Sequence, residues 1–161
     1  MSAVELPIRG VLDTSTVILL SRIEDASALP REPVITAVTL AELSVGPLLA
    51  ADEKERAARQ AHLQQAESDF DPLPFDAAAA RAFGQVAASL RRSGRKTAAR
   101  AYDAMIAATA IASDLPVYTC NPSDFAGIQD LTVKPVAVPP PVVGYRSHAW
   151  SARKPQTGLY S

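Results

Sequence analysis

The chain has little cysteine, no long apolar run and almost no net charge, and each absence excludes a class of protein. Its single cysteine, Cys120, rules out an internal disulfide and predicts a reducing compartment. No apolar run approaches the ~20 residues that span a bilayer, and Met1 to Arg9 lacks the apolar core of a signal peptide. The formal net charge of -1 creates no overall attraction to nucleic acid or membrane. We therefore expect a cytoplasmic protein with no membrane partner, in which a local patch or a metal ion holds any anionic ligand.

The sequence also contains neither a glycine-rich phosphate loop nor an internal repeat. The first absence argues against a nucleotide-binding protein that cradles phosphate in such a loop. What is present is a chain of 161 residues, 48% hydrophobic and 20% charged, which predicts one globular domain with a sizeable core. Strand signals alternate with helical patterns, so we expect βαβ units and an α/β fold with a mainly parallel central sheet.

The stretch from Gly10 to Ser15 contains the first candidate functional residue. An apolar pair leads into Asp13, and two small hydroxyl residues and a second apolar run over 17–20 follow. This pattern predicts a buried strand that ends at Asp13 and a helix that begins in the next turn. Ligands of open α/β sheets lie outside the carboxyl ends of the strands. Asp13 is therefore either a catalytic group or only the N-cap of the helix, and this stretch alone does not decide between them.

Acidic side chains follow two further predicted strands. A strand over 34–36 precedes a short helix that carries Glu42, and a strand over 115–120 precedes Asp124. Taken singly, Glu42 fits a surface position on its helix and Asp124 fits a cap of a turn. Because the carboxyl ends of parallel strands share one edge of a sheet, we expect both acids to approach Asp13.

Asp103 is the only charged residue in a predicted helix over 101–112, which is apolar nearly all round. A carboxylate in the first turn gains about 0.3–1 kcal/mol from the helix dipole. Burial without a partner would cost several kcal/mol. Asp103 therefore needs a cation, a hydrogen-bond network or a raised pKa.

Several carboxylates at one edge of the sheet predict a bound divalent cation. Two carboxylates about 4 Å apart repel each other by about 4 kcal/mol at an effective dielectric constant of about 20. No lysine or arginine occurs within the stretches that carry these acids. Ligands that are all oxygen suit Mg²⁺ or Mn²⁺, and a metal ion held beside a basic segment favours hydrolysis of a phosphodiester.

Residues 91–100 are the basic segment of the chain, because they contain five basic side chains and no acidic one. The usual interpretation of such a run is a solvated loop, and the functional alternative is a contact with phosphate. From Pro139 onward the chain is rich in proline and basic, so we expect a flexible tail over 139–161 after a folded domain over 1–138. The alternative for the tail is weak binding of RNA or of another protein.

Four stretches together resemble a known family. They are Leu12 to Ser15, Thr39 to Leu43, Tyr102 to Ala108 and Thr119 to Phe125. Over about residues 9–136 the chain resembles PIN-domain nucleases, and in particular the VapC ribonuclease toxins of bacterial toxin–antitoxin pairs. The resemblance implies a PIN-like three-layer α/β/α sandwich and a Mg²⁺- or Mn²⁺-dependent endoribonuclease that hydrolyses RNA. It also implies a homodimer and a cognate antitoxin of the VapB kind that blocks the acidic pocket.

The resemblance also implies a role for each matched residue. Asp13 and Asp103 match the main metal ligands, and Glu42 matches a carboxylate that helps to bind metal or activates water. Asp124 matches the fourth acid, which holds a second or weaker metal position. The polar positions that orient the acids and water are matched by Ser15, Thr119 and Asn121.

The chain departs from the family at Cys120, where an arginine is frequent. If that arginine helps to hold RNA in the family, we expect the basic segment to provide more of the contacts with RNA here. The side chains concerned are Arg91, Arg92, Arg95 and Lys96.

Other functions fit parts of this pattern. An aspartyl-nucleophile phosphatase would also place Asp13 at a strand end, but its second acid belongs at the position of Ser15, and no lysine occurs in a matching motif. A non-catalytic adaptor with the PIN fold would bind RNA or protein without needing four acids. The helices over 39–46 and 52–70 are expected to form either a groove for the antitoxin or a dimer contact.

Overall fold

The computed structural model describes residues 8–138, and a parallel sheet forms their centre. The strand order is β2-β1-β3-β4, and every neighbouring pair is parallel. The strands are β1 (Arg9–Leu12), β2 (Glu32–Val34), β3 (Val117–Thr119) and β4 (Val133–Pro135). The α-helices in this part of the chain are α1 (Thr14–Leu19), α2 (Ala37–Val45), α3 (Glu53–Asp69), α4 (Ala77–Arg92) and α5 (Ala101–Ala112).

The strands bury side chains on both faces, so helices must cover both. Val11 and Val117 belong to one apolar cluster, and the alternate residues Leu12 and Tyr118 belong to another. The first cluster is completed mainly by side chains of α4 and α5, and the second by side chains of α1, α2 and α3. This arrangement is a three-layer α/β/α sandwich, which confirms the expected fold class.

The strand order reverses beside β1. Its neighbour on one side is β2, the next strand along the chain. Its neighbour on the other side is β3, which begins at Val117, long after β2 ends at Val34. The carboxyl ends of β1 and β3 therefore flank the topological switch point, where open α/β sheets bind ligands. Gly10 in β1 leaves room for the side chain of Tyr118, because a Cβ there would collide with Cε2 of that ring.

Most predicted elements are present, with shifted ends. The second strand is β2 and ends at Val34, whereas a strand was expected over 34–36. Beyond it, Thr36 makes an isolated parallel bridge with Leu73 and its hydroxyl caps α2 at Thr39. Pro135 lies in β4 at the sheet edge, where a missing N–H donor is tolerated.

The predicted tail over 139–161 lies outside the described residues, as do residues 1–7, so the domain boundary at 138 stays a prediction. Within residues 8–138, no helix has the length and apolar character needed to cross a membrane.

Candidate active site

The Asp13 carboxylate lies at the switch point, directly after β1, and is 3% exposed. Its Oδ1 accepts hydrogen bonds from the Thr16 backbone N–H at 3.1 Å and from the Thr16 hydroxyl at 2.5 Å. Its Oδ2 accepts from the Ser15 hydroxyl at 3.0 Å and from the Thr119 hydroxyl at 2.8 Å. Asp13 is thus the N-cap of α1, as the alternative interpretation held. Its contact with Thr119, 106 residues away, goes beyond a local cap.

The electrostatics of this carboxylate are unfavourable for an isolated anion. Burial raises the pKa of Asp13, and hydrogen bonds from Thr16, Thr119 and Ser15 offset only part of that effect. These donors are all neutral. The position therefore favours either a protonated carboxyl or a cation brought close to it.

Thr16 and Thr119 fix Asp13 by joining α1 to the end of β3. The Thr16 hydroxyl accepts from the Cys120 N–H at 3.1 Å, and the Thr119 hydroxyl accepts from the Asn121 N–H at 2.9 Å. Both threonines are fully buried. Thr119 and Asn121 were predicted as supporting positions, whereas Thr16 was not. The available signal for Thr16 was its place three residues after a candidate N-cap, where capping bonds are formed.

Glu42 reaches the same region from α2. Its Oε1 accepts a hydrogen bond from the Thr14 hydroxyl at 2.8 Å, and that hydroxyl lies 3.0 Å from the hydroxyl of Thr39. Thr14 and Thr39 are buried, and Glu42 is half-buried. Sequence reasoning did not assign a site role to either threonine. The spacing of Thr39 and Glu42 by three residues on one helix was the signal, because it places them on the same face.

Asp124 has a charged partner. It lies in the one-turn helix Pro122–Phe125 after β3, and its Oδ1 is 2.5 Å from Nη1 of Arg100. The stretch around Asp124 contains no lysine or arginine, but the fold brings Arg100 to it from outside that stretch. Asp103 is half-buried in the first turn of α5, a helix that packs against both α2 and the 122–125 turn.

The basic segment is partly structural. Helix α4 continues to Arg92, so Arg91 and Arg92 lie in its last turn, where cations interact favourably with the helix dipole. Nη1 of Arg95 donates to the Ser123 carbonyl at 2.7 Å. Arg91, Arg92 and Lys96 are exposed. Contacts of these side chains with RNA stay a prediction.

A family model described as "PIN domain" matches residues 10–130. The chain belongs to the PIN domain family. It is 42% identical over 124 residues to Ribonuclease VapC5 of Mycobacterium tuberculosis, covering 76% of this chain and 89% of that protein. It is 30% identical over 126 residues to Ribonuclease VapC of Rickettsia bellii, covering 76% of this chain and 92% of that protein.

The fold of this PIN domain also resembles a solved structure. The match is the crystal structure of VapBC-5, a member of the VapBC family of toxin–antitoxin systems from Mycobacterium tuberculosis. The TM-score is 0.70 and the identity is 38%, over 81% of this chain and 100% of the matched chain.

The acids of this PIN domain do not form a ready-made metal cage. Among residues 8–138, no three Asp, Glu, His or Cys side chains lie close enough to hold a metal ion together. Asp13 and Glu42 are nevertheless linked, because Glu42 binds the residue that follows Asp13. The roles of Asp13, Glu42, Asp103 and Asp124 in catalysis and metal binding remain predictions.

Proposed function

We propose that this PIN domain is the toxin of a toxin–antitoxin pair and acts as a Mg²⁺- or Mn²⁺-dependent endoribonuclease. Its relatives named Ribonuclease VapC support the activity, and its likeness to a VapBC complex supports the biological setting. The single observation that carries the proposal is the buried Asp13 carboxylate, held at the switch point by neutral donors. Structural roles alone do not require a buried anion at that position.

The donor chemistry at this sheet edge fits a hard divalent cation. Every candidate ligand is a carboxylate, and Mg²⁺ is usually held by one or two carboxylates with water and substrate phosphate completing its shell. Asp13 and Asp103 would hold the ion, so a cage of three acids is not required. A bound divalent cation would supply charge neutralisation and a more acidic water molecule.

The residues around Asp13 have distinct tasks in this proposal. The hydroxyls of Ser15, Thr16 and Thr119 fix the orientation of the Asp13 carboxylate. Glu42, held at Oε1 by Thr14, accepts the proton of the attacking water. Asn121 contributes through its backbone N–H, which fixes the Thr119 hydroxyl.

Two measurements test this function. Mn²⁺ is expected to raise the Tm of the wild-type protein, and Asp103→Asn should lose that rise because a ligand is removed. Asp13→Ala should reduce cleavage of a structured RNA by more than about 100-fold. Glu67→Ala, an exposed acid on α3, is the matched control and should cut at the wild-type rate. An Asp13→Ala variant that folds and cuts RNA normally would exclude the proposed site.

The second candidate is a non-catalytic adaptor with the PIN fold, and the absence of a three-residue metal cage among the described residues favours it. An adaptor would bind RNA without cutting it in Mn²⁺, and its Tm would not respond to the ion. The same two measurements therefore distinguish the adaptor from the nuclease.

We also propose a VapB-like antitoxin and a second copy of the chain as partners, with action in the cytoplasm. Apolar side chains are exposed where α2 leads into α3, namely Val45, Leu48 and Leu49, of which Leu48 is 83% exposed. Such a surface is typical of a protein contact. Co-expression with the product of the neighbouring reading frame should yield a stable complex, and light scattering of the purified chain should give the mass of a dimer.

A further inference from the structure

The ion pair between Arg100 and Asp124 lies beside the candidate active site and has no task in the mechanism above. Nη1 of Arg100 is 2.5 Å from Oδ1 of Asp124, and the two side chains are 26% and 23% exposed. Both groups are therefore mostly buried but remain within reach of a ligand from solvent. The contact joins residues that are 24 positions apart in the sequence.

The pair connects two elements that carry predicted site residues. Arg100 directly precedes α5, three residues before Asp103, and Asp124 lies in the turn that follows β3. This location places a guanidinium at the edge of the sheet where the acids are expected to meet. A guanidinium has five N–H donors in a fixed plane and binds phosphate oxygens in pairs. The contact with Asp124 uses Nη1.

Two other arginines of the basic segment have different surroundings. Nη1 of Arg95 donates to the Ser123 carbonyl at 2.7 Å. Nη2 of Arg92 lies 3.3 Å from the Ser89 hydroxyl and 3.4 Å from Oε1 of Gln129. Neither contacts an acid that was predicted for the site, whereas Arg100 does. Of these three arginines, Arg100 is the one that contacts an acid predicted for the site.

The charge of Asp124 is compensated by this contact, in contrast with that of Asp13. A divalent cation that approached Asp124 would meet the positive guanidinium, which repels it. A phosphate that approached the same pair would meet an N–H fork already held in position by a carboxylate. The pair is therefore better suited to an anion than to a metal ion.

We propose that Arg100 binds a phosphate of the RNA substrate and that Asp124 positions Arg100 instead of holding a metal ion. The inference rests on the proposed function for the identity of the substrate. Arg100 would hold the backbone of the RNA while Asp13, Glu42 and Asp103 act at the reacting phosphate. Asp124 would act through Arg100 only.

Binding of a fluorescently labelled single-stranded RNA, measured in EDTA so that no cleavage occurs, tests the role of Arg100. Arg100→Gln should weaken binding by about 10-fold to 100-fold, because a charge-assisted contact is lost. Arg100→Lys should keep only part of the wild-type affinity for RNA, since a lysine lacks the planar pair of N–H donors of an arginine. The control, Arg81→Gln, makes the same change of charge on an exposed part of α4 and should bind within about twofold of wild type. Equal affinities of Arg100→Gln and Arg81→Gln would overturn the proposal.

The response of Tm to Mn²⁺ alone tests the role of Asp124. Asp124→Asn should keep the full wild-type rise in Tm, whereas Asp13→Asn should lose it. In cleavage assays Asp124→Asn should raise KM more than it lowers kcat, and Asp124→Glu should restore KM. Loss of the Mn²⁺ response in Asp124→Asn would identify Asp124 as a metal ligand and refute its positioning role. If the wild type neither cuts RNA nor responds to Mn²⁺, the proposed function fails, while the RNA-binding comparison still decides the role of Arg100.

Discussion

Asp13 and Asp124 are both acids that follow a strand of the same sheet, yet their environments are opposite. Asp13 is almost fully buried and receives hydrogen bonds from neutral hydroxyl and amide donors. Asp124 is about a quarter exposed and is paired with the guanidinium of Arg100. Hydroxyl donors hold a carboxylate in place but leave its negative charge uncompensated. An arginine holds the carboxylate in place and also neutralises its charge. Position at a strand end is therefore a poor guide to whether an acid can attract a cation.

This difference predicts that the buried charge of Asp13 lowers the free energy of unfolding of the protein. In the absence of divalent ions, Asp13→Asn should raise the free energy of unfolding at neutral pH by about 1–2 kcal/mol, because it removes a buried charge. Asn keeps an oxygen for the donors of Thr16 and is as good an N-cap as Asp. The hydroxyls of Ser15 and Thr119 can rotate to accept from the new amide. Chemical denaturation in EDTA measures the change.

The gain in stability of Asp13→Asn should depend on pH, and the raised pKa of Asp13 gives the sign of that dependence. Burial raises the pKa of Asp13 above its ordinary value of 3.8. The contribution of such a group to stability is fully present below the unfolded-state pKa and is lost as pH rises through the folded-state pKa. The advantage of Asp13→Asn should therefore grow as the pH rises above about 4, the ordinary pKa of the carboxyl. Asp52→Asn makes the same change at the exposed N-cap of α3 and is the control for replacing an acid at an N-cap. An equal change of stability with pH in both variants would show that burial of the charged Asp13 carboxylate does not lower the free energy of unfolding.

The neutral donors around Asp13 predict a second effect, on activity. Thr119→Val removes the hydroxyl that donates to Oδ2 of Asp13 and accepts from the Asn121 N–H. We expect RNA cleavage to fall about tenfold, because a misplaced Asp13 carboxylate would bind the metal ion less well. Thr119→Ser should restore the rate, and steady-state kinetics in Mn²⁺ measure both variants.

Thr109→Val is the matched control for this experiment. Thr109 is also a buried threonine, but its hydroxyl donates to the Met105 carbonyl within α5. If Thr109→Val slows cleavage as much as Thr119→Val does, the loss reflects general disturbance of the core and not the orientation of Asp13.

The same contrast shows what the sequence could and could not predict. Helix α5 was predicted with its observed bounds, because an unbroken apolar segment with a single acid in its first turn is a local signal. The place of Asp13 after β1 was also predictable, since an apolar run ended at a good N-cap. Local patterns of this kind are set by residues close to each other in the chain.

The partners of the acids were less accessible to prediction. The link from Arg100 to Asp124 spans 24 positions, and the link from Thr14 to Glu42 spans 28. Such contacts depend on how helices pack, and threonine and arginine are too common for their presence to identify them. The sequence therefore identified candidate acids after the strands but not that Arg100 neutralises one of them.

The smallest expected effect concerns the ion pair itself. A double-mutant cycle with Arg100→Gln and Asp124→Asn should give a coupling free energy of unfolding of about 0.5–1 kcal/mol, since a partly exposed pair is weakened by solvent. The exposed pair of Arg56 and Glu53 is the control and should show little coupling. High salt should reduce the coupling of the control pair more than that of Arg100 with Asp124, because buried charges are screened less. Identical behaviour of the two pairs would mean that Asp124 does not hold Arg100 firmly, and the contrast between Asp13 and Asp124 would then lie in burial alone.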